Sequence, residues 1–350
     1  MPDFPGSFFR ARSHQLFLCS IFFLLTIRGA VGPIPYISIL PTVSKAWPES
    51  ALPASQDYLL NSPVGLIVFK SLRSNSPVAY LLMCLFFIGL GFFLLYRYFM
   101  KTAPAPLAGS LVRIFMLSEL GYVLLRWTGS YDAFTFVFWM LLLIGLKNKQ
   151  RVIIFLSSTM LGFNHFEQAI IGVIGIFLAY QFLGSLKEKA PTMGFVLVGT
   201  ISGKLALLGF LTPSELAGRN SWLTIENFRA GAIEIISNFG YFLWSVFSVV
   251  WIIVYIIFKH NSWKKLSTPF AFFILAFIVS TLTRDHTRVF VLTTLPCLLL
   301  LIDSKVKTGE LKELDIYKVE LVSWIIPPLI LWEGTWIFPY NYIEHLVKLS

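Results

Sequence analysis

The chain has 350 residues, of which 56% are hydrophobic and only 13% charged, with a mean hydropathy of +0.74. A soluble domain carries about 45–50% apolar and about 25% charged residues, so this composition excludes an ordinary cytosolic enzyme and a disordered chain. The three cysteines, Cys19, Cys84 and Cys297, lie inside apolar runs and make no disulfide framework. The net charge of +10 does not mark a nucleic-acid partner. Lys and Arg cluster in every second loop, which is the signature of orientation across a membrane.

A first apolar run over 15–31 follows a basic amino terminus with Arg10 and Arg12. Arg28 near its end and the lack of a small-residue cleavage site make it an uncleaved first span, with a cytoplasmic amino terminus. The stretch 32–77 carries Pro33, Pro35, Pro41, Pro48, Pro53 and Pro63. It is too polar and proline-rich to span, and is expected to be a long first extracytoplasmic loop with one or two short surface helices. Further spans are expected over 78–99, 107–127, 133–146, 152–163, 168–184, 193–212, 236–258, 268–282, 287–303 and 319–338.

A straight crossing takes about 20 residues. The runs 133–146 and 152–163 are shorter, so they are tilted in a thinned region or continue through polar residues lining a cavity. The whole reads as an all-α polytopic transmembrane bundle of about eleven spans. It forms one integral membrane domain over 1–350, with the carboxyl terminus outside. A compact chain without a soluble domain leans towards a bacterial inner (plasma) membrane.

Basic loops hold little besides lysine and arginine: Arg97 and Lys101; Lys147, Lys149 and Arg151; Lys187 and Lys189; Lys259, Lys264 and Lys265; Lys305 to Lys318. The opposite turns are chemically richer. They read Ser55-Gln56-Asp57-Tyr58; Arg126-Trp127-Thr128-Gly129-Ser130-Tyr131-Asp132; Asn164-His165-Phe166-Glu167; and Thr283-Arg284-Asp285-His286-Thr287-Arg288. Ionisable groups at the ends of apolar helices are costly unless they pair or face a wet cavity.

Each turn has a plain alternative. Asp57 reads equally as a solvated loop acid, and Arg126 with Asp132 as a structural ion pair. His165 and Glu167, two apart, cannot share a helical face, so they are no helical zinc motif. Arg284, Asp285, His286 and Arg288 look like an anion site with its orienting partners. Within spans, Arg113 and Glu119 are six apart and poor partners in one helix. Lys204 can snorkel outward. Pairing between helices is the simplest account of all three.

Walker, GxGxxG, GxSxG and HExxH motifs are absent. Short basic loops leave no place for a nucleotide and its metal, so chemistry is expected on the outer face with a lipid-linked donor. Tyr131-Asp132 opens a span, Asn164-His165-Phe166-Glu167-Gln168 ends a short one, Arg284-Asp285-His286-Thr287-Arg288 precedes a late helix, and Asp57 stands in the long first loop. In this arrangement the chain resembles the GT-C superfamily of polytopic glycosyltransferases that use polyprenyl-phosphate sugars. The family often has two adjacent acids in the first loop; here Asp57 stands alone.

The resemblance implies transfer of a sugar from a polyprenyl-phosphate donor to a hydroxyl of a glycan or lipid-glycan acceptor, with inversion. Asp57 would be the base, and Arg284 or Arg288 would stabilise the departing phosphate. Asp132, His165, Glu167, Asp285 and His286 would contact sugar hydroxyls or hold a divalent ion, and Arg126 would contact the substrate. Two other readings stay open. One is an O-antigen-type polymerase or ligase; the other is a lipid or solute transporter with Arg113, Glu119 and Lys204 as a midplane relay.

Overall fold

The computed structural model describes residues 8–9, 12–27, 32, 34, 37–48, 60–211, 224–259, 261, 263–283 and 285–337, with backbone alone at 263–265 and 336. The described chain is helical apart from one hairpin. The first run is α1 (Ser13–Phe22), prolonged by a π turn over Phe23–Ile27. Within the proline-rich stretch lie α2 (Leu40–Ala46) and α3 (Val64–Ser71).

These two are not surface helices. Leu40, Val43, Val64, Leu66 and Phe69 are buried, and Ser44 Oγ donates to Leu66 O at 2.5 Å. Gly65 lies so close to the Phe134 ring and the Tyr80 hydroxyl that a Cβ there would come within 3 Å of both. The amphipathic content of α2 and α3 is therefore spent on packing against the bundle rather than on a solvated loop.

The 23-residue α4 (Pro77–Phe99) opens with Ser76 as N-cap and Pro77 in its first turn. At 1.5 Å per residue it is about 34 Å long, enough to cross a bilayer. Next come α5 (Ala105–Leu117) and α6 (Glu119–Arg126), one apolar run broken at Ser118 with a 54° bend. Gly121 permits the bend, since a Cβ there would lie 2.0 Å from Met116 O. After them, α7 (Asp132–Asn148) leads to α8 (Arg151–Phe182), a 32-residue element with non-helical backbone at His165.

The chain reverses at His165. Gly145 of α7 faces Ile153 and Ile154, and Asn164 bonds back to Tyr131 O and Thr135 Oγ1, so the first arm of α8 runs antiparallel to α7. A straight continuation would carry Gly172 past the start of α7. Gly172 instead meets Trp139, a full two turns into α7, and Pro296. The second arm therefore runs back alongside α7, and 152–163 and 168–184 are separate segments as the sequence indicated.

The following helix, α9 (Leu186–Leu208), lies parallel to the first arm of α8. Gly162, Gly199 and Gly203 let the two backbones touch: a Cβ at Gly203 would sit 2.0 Å from Thr159 O, and one at Gly162 would sit 2.0 Å from Thr200 O. Small residues at this spacing are the usual means of close helix approach in lipid. Beyond it come α10 (Ile225–Ser237) and α11 (Phe239–Phe247), bent 93° from each other, then α12 (Val250–Phe258). The step between α11 and α12 is made by Ser248, whose φ of 43° is rare for a residue with a Cβ.

Next are α13 (Trp263–Thr283), α14 (His286–Lys307) and α15 (Glu313–Ile325). Here the expected last span over 319–338 is corrected. The helix stops at Ile325 because Pro327 and Pro328 cannot continue it. The chain then forms an antiparallel hairpin of β1 (Ile330–Trp332) and β2 (Thr335–Ile337).

By length and composition five of the described helices, with α8 taken unbroken, are long and apolar enough to cross a membrane, and the bent pairs α5–α6 and α10–α11 raise this to seven. Large apolar side chains such as Phe86, Phe93, Val198, Leu205, Tyr255 and Ile274 are exposed on the outside of the bundle. In water such a surface would be an aggregation liability; in lipid it is solvated. Centrally, α14 is buried almost along its whole length. One charged pair lies deep inside: Arg113 of α5 meets Glu320 of α15 at 2.5 Å, both fully buried.

Candidate functional site

Three helices run side by side in the same direction and begin at one level. Asp132 at the start of α7 pairs with Arg288 at the start of α14, and far down the same helices Lys147 pairs with Asp303 at 2.6 Å. The second arm of α8 joins them through His165, whose ring lies edge-on to Tyr131 at 4.6 Å, and through Gly172 against Trp139 and Pro296. The positive helix ends thus converge, which favours carboxylates there. The far end is the lysine-rich one, with Lys147, Asp303 and Thr102 bonded together and Lys305 on Glu310.

At the centre is Arg288. Its Nε lies 2.7 Å from Asp132 Oδ2 and its Nη1 donates to Asp285 Oδ2 at 2.6 Å. The guanidinium faces the rings of Tyr131 at 5.0 Å and Trp127 at 5.9 Å. Asp132 is also held by the Ser130 hydroxyl at 2.8 Å and is 1% exposed. Burial pushes the Asp285 carboxyl above the ordinary aspartate range. The Arg288 charge opposes this shift, and the neighbouring Asp132 adds to it.

His165 caps the second arm of α8, its Nδ1 accepting the Gln168 N–H at 3.4 Å. Glu167, on a half-exposed flank, bridges His165 and α9: its Oε2 lies 3.4 Å from His165 Nδ1 and its Oε1 3.3 Å from Lys204 Nζ. Lys204 is thus tied to the level of the polar turns. His286 turns away from Arg288. It is fully buried between Ser280 O, 3.1 Å from Nδ1, and Glu234 of α10, 2.9 Å from Nε2. The His286–Glu234 pair fastens α10 to the α13–α14 turn. Thr287 does the same for α11 and the hairpin, donating to Ser245 Oγ and accepting from Leu331 N at 2.9 Å.

The structure therefore brings Asp132, Asp285 and Arg288 together, with Tyr131, Trp127 and His165 beside them. The ion-pair partner of Asp132 is Arg288 of α14, where the alternative reading had offered Arg126. Asp57 and Arg284 lie outside the described residues. Among the described residues no three His, Cys, Asp or Glu side chains are grouped to hold a metal ion. Arg113 and Lys204 are engaged with Glu320 and Glu167 respectively.

Sequence reading missed Glu234, in a stretch without a distinctive pattern. It also missed Trp332, whose ring packs edge-on to Trp127 at 6.5 Å from the unforeseen hairpin. Asn164 and Gln168 belong to the Asn164-His165-Phe166-Glu167-Gln168 motif, but sequence alone assigns them no role; both are buried. Comparison with protein-family models, with curated proteins and with solved structures gives no match to this chain.

Proposed function

We propose that the chain is a polytopic membrane glycosyltransferase of the GT-C type, moving a sugar from a polyprenyl-phosphate donor to an acceptor hydroxyl on the extracytoplasmic face. In this reading α1, α4, α5–α6, α7, the two arms of α8, α9, α10–α12, α13, α14 and α15 with the chain up to β1 make eleven crossings. The lysine-rich end faces the cytoplasm of a bacterial inner membrane. Support comes above all from one observation: Arg288 sits between two carboxylates and two aromatic rings where three apolar helices begin together. Such an investment of charge at a membrane boundary is expensive without a polar ligand to receive.

Roles follow from charge. A guanidinium already facing two acids is a weak grip for a lipid phosphate, so Arg288 positions Asp132 and Asp285, and the departing phosphate falls to Arg284. Asp57 takes the proton of the attacking hydroxyl, and attack on the face opposite the leaving phosphate inverts the anomeric centre. Trp127 and Tyr131 stack on the sugar. A midplane transport relay is less favoured, because Arg113 and Lys204 already have carboxylate partners.

The test is transfer by the purified chain in liposomes, using radiolabelled polyprenyl-phosphate hexoses and pentoses and an extract of envelope glycans. Asp57→Asn and Arg288→Ala should each lower transfer by about 100-fold or more while leaving insertion intact. Wild-type liposomes that transfer none of these sugars would end the proposal, and variants as active as wild type would remove their residues from it.

A further inference from the structure

The inner side of the Asp132–Arg288 cluster holds several polar atoms that are buried without a hydrogen bond in the protein: Asp132 Oδ1, Asn164 Oδ1, and both Oε1 and Nε2 of Gln168. All three residues are at most 2% exposed. They belong to one place. Asn164 Nδ2 donates to Thr135 Oγ1 at 3.0 Å and to Tyr131 O at 3.2 Å, which ties it to the first turn of α7. Gln168 lies one turn above Gly172 and one below His165, on the face of α8 that meets Trp139, Pro296 and Tyr131. By the parallel register of the three helices, it stands at the level of Thr135 and Leu292, one turn further into the bundle than Asp132 and Arg288.

Burying one amide without partners costs about 1–3 kcal/mol per unsatisfied group. A leucine of similar size would fill the same space at no such cost, so packing does not account for Gln168. Its chemistry does. The set offers one carboxylate oxygen, one amide oxygen and a complete amide, with acceptors outnumbering donors. An anion would be repelled by it; water or a hydroxyl, which both donate and accept, fits. Tyr131, partly exposed, stands at the rim, its carbonyl accepting from Asn164 Nδ2 and its ring edge-on to His165.

We infer that Asn164, Gln168 and Asp132 form the floor that reads hydroxyl groups of the transferred sugar, so that this inner side takes the neutral ring while the phosphate stays at the rim. The inference rests on the glycosyltransferase reading and names the residues that set its sugar specificity.

The test uses the full chain purified in detergent and three probes: citronellyl phosphate without sugar, and citronellyl-phosphate glucose and mannose. Each is scored by the rise in unfolding temperature. Wild type should respond to the bare lipid phosphate, and more strongly to at least one of the two sugar-bearing lipids. Gln168→Leu should unfold no earlier than wild type and keep the response to the bare lipid. It should lose the sugar increment, with an affinity for the sugar-bearing lipid about tenfold weaker or worse. Gln168→Glu should alter the preference between glucose and mannose.

A sugar increment retained by Gln168→Leu, or no increment in wild type, overturns the floor and leaves the donor reading standing on the lipid response. An earlier unfolding of Gln168→Leu by several degrees assigns the amide to structural water and also overturns it. No response to any lipid overturns the donor reading together with the floor.

Discussion

Arg113 offers the sharpest test of how this bundle is held together. Its side chain and that of Glu320 are wholly buried, and the guanidinium donates Nε–H to Oε1 at 2.5 Å and Nη2–H to Oε2 at 3.1 Å. It also bonds Ser110 Oγ at 3.1 Å and Ser13 O at 3.1 Å, so one side chain joins α5, α15 and the start of α1. Arg113→Met keeps the volume but leaves the Glu320 carboxylate in an apolar interior. Breaking a buried pair in this way costs about 3–5 kcal/mol. Replacing both partners, as in Arg113→Met with Glu320→Leu, removes the stranded charge, so the double variant should return to within about 1 kcal/mol of wild type or exceed it. The assay is equilibrium unfolding in mixed micelles of a mild detergent and SDS, followed by tryptophan fluorescence. A single variant within about 1 kcal/mol of wild type, or a double variant no better than the single one, would refute the assignment of this pair as a buried, desolvated clasp.

Other consequences follow from backbone geometry and charge. Gly203→Ala and Gly162→Ala each place a methyl about 2 Å from a carbonyl oxygen of the facing helix, and should destabilise by about 1–3 kcal/mol in the same unfolding assay. Gly194→Ala, with open space around it, should be neutral. Ser248→Gly should raise the unfolding temperature, because it relieves a left-handed φ that costs about 1–3 kcal/mol and removes a buried hydroxyl without a partner; Ser248→Val should lower it. For Asp285 the raised carboxyl sets the sign. Its contribution is fully present below the unfolded value of about 3.9, and is lost as pH rises through the higher folded value. Wild-type unfolding temperature should therefore fall more steeply above pH about 4 than that of Asp285→Asn; parallel pH curves would show that the carboxyl is not buried as described.

Much of this architecture was legible because lipid leaves so little choice: an apolar run must be a helix. The reversal at His165 was readable from four polar residues interrupting two apolar runs, although the backbone there stays nearly helical and departs only at one residue. The end of α15 was less readable. Pro327 and Pro328 sit in an apolar stretch whose hydropathy alone spells a span, and the hairpin depends on contacts with Trp127 and Thr287 that no local pattern encodes. The polar turns marked Asp132, Asp285 and Arg288 correctly as residents of one end of the bundle. Which acid would face which base was not readable, because partner choice depends on the register between α7 and α14. His286 illustrates the difference: next in sequence to Asp285, it is turned by one helical step into a separate pair with Glu234.

The shortness of two neighbouring segments has a consequence for the surrounding bilayer. At 1.5 Å per residue, α7 is about 25 Å long and the first arm of α8 about 21 Å, against roughly 30 Å of hydrocarbon. Because α7 is enclosed by protein along almost its whole length, only the first arm of α8, with Val152 and Leu156 exposed, meets lipid on this flank, and the bilayer beside it must thin to match.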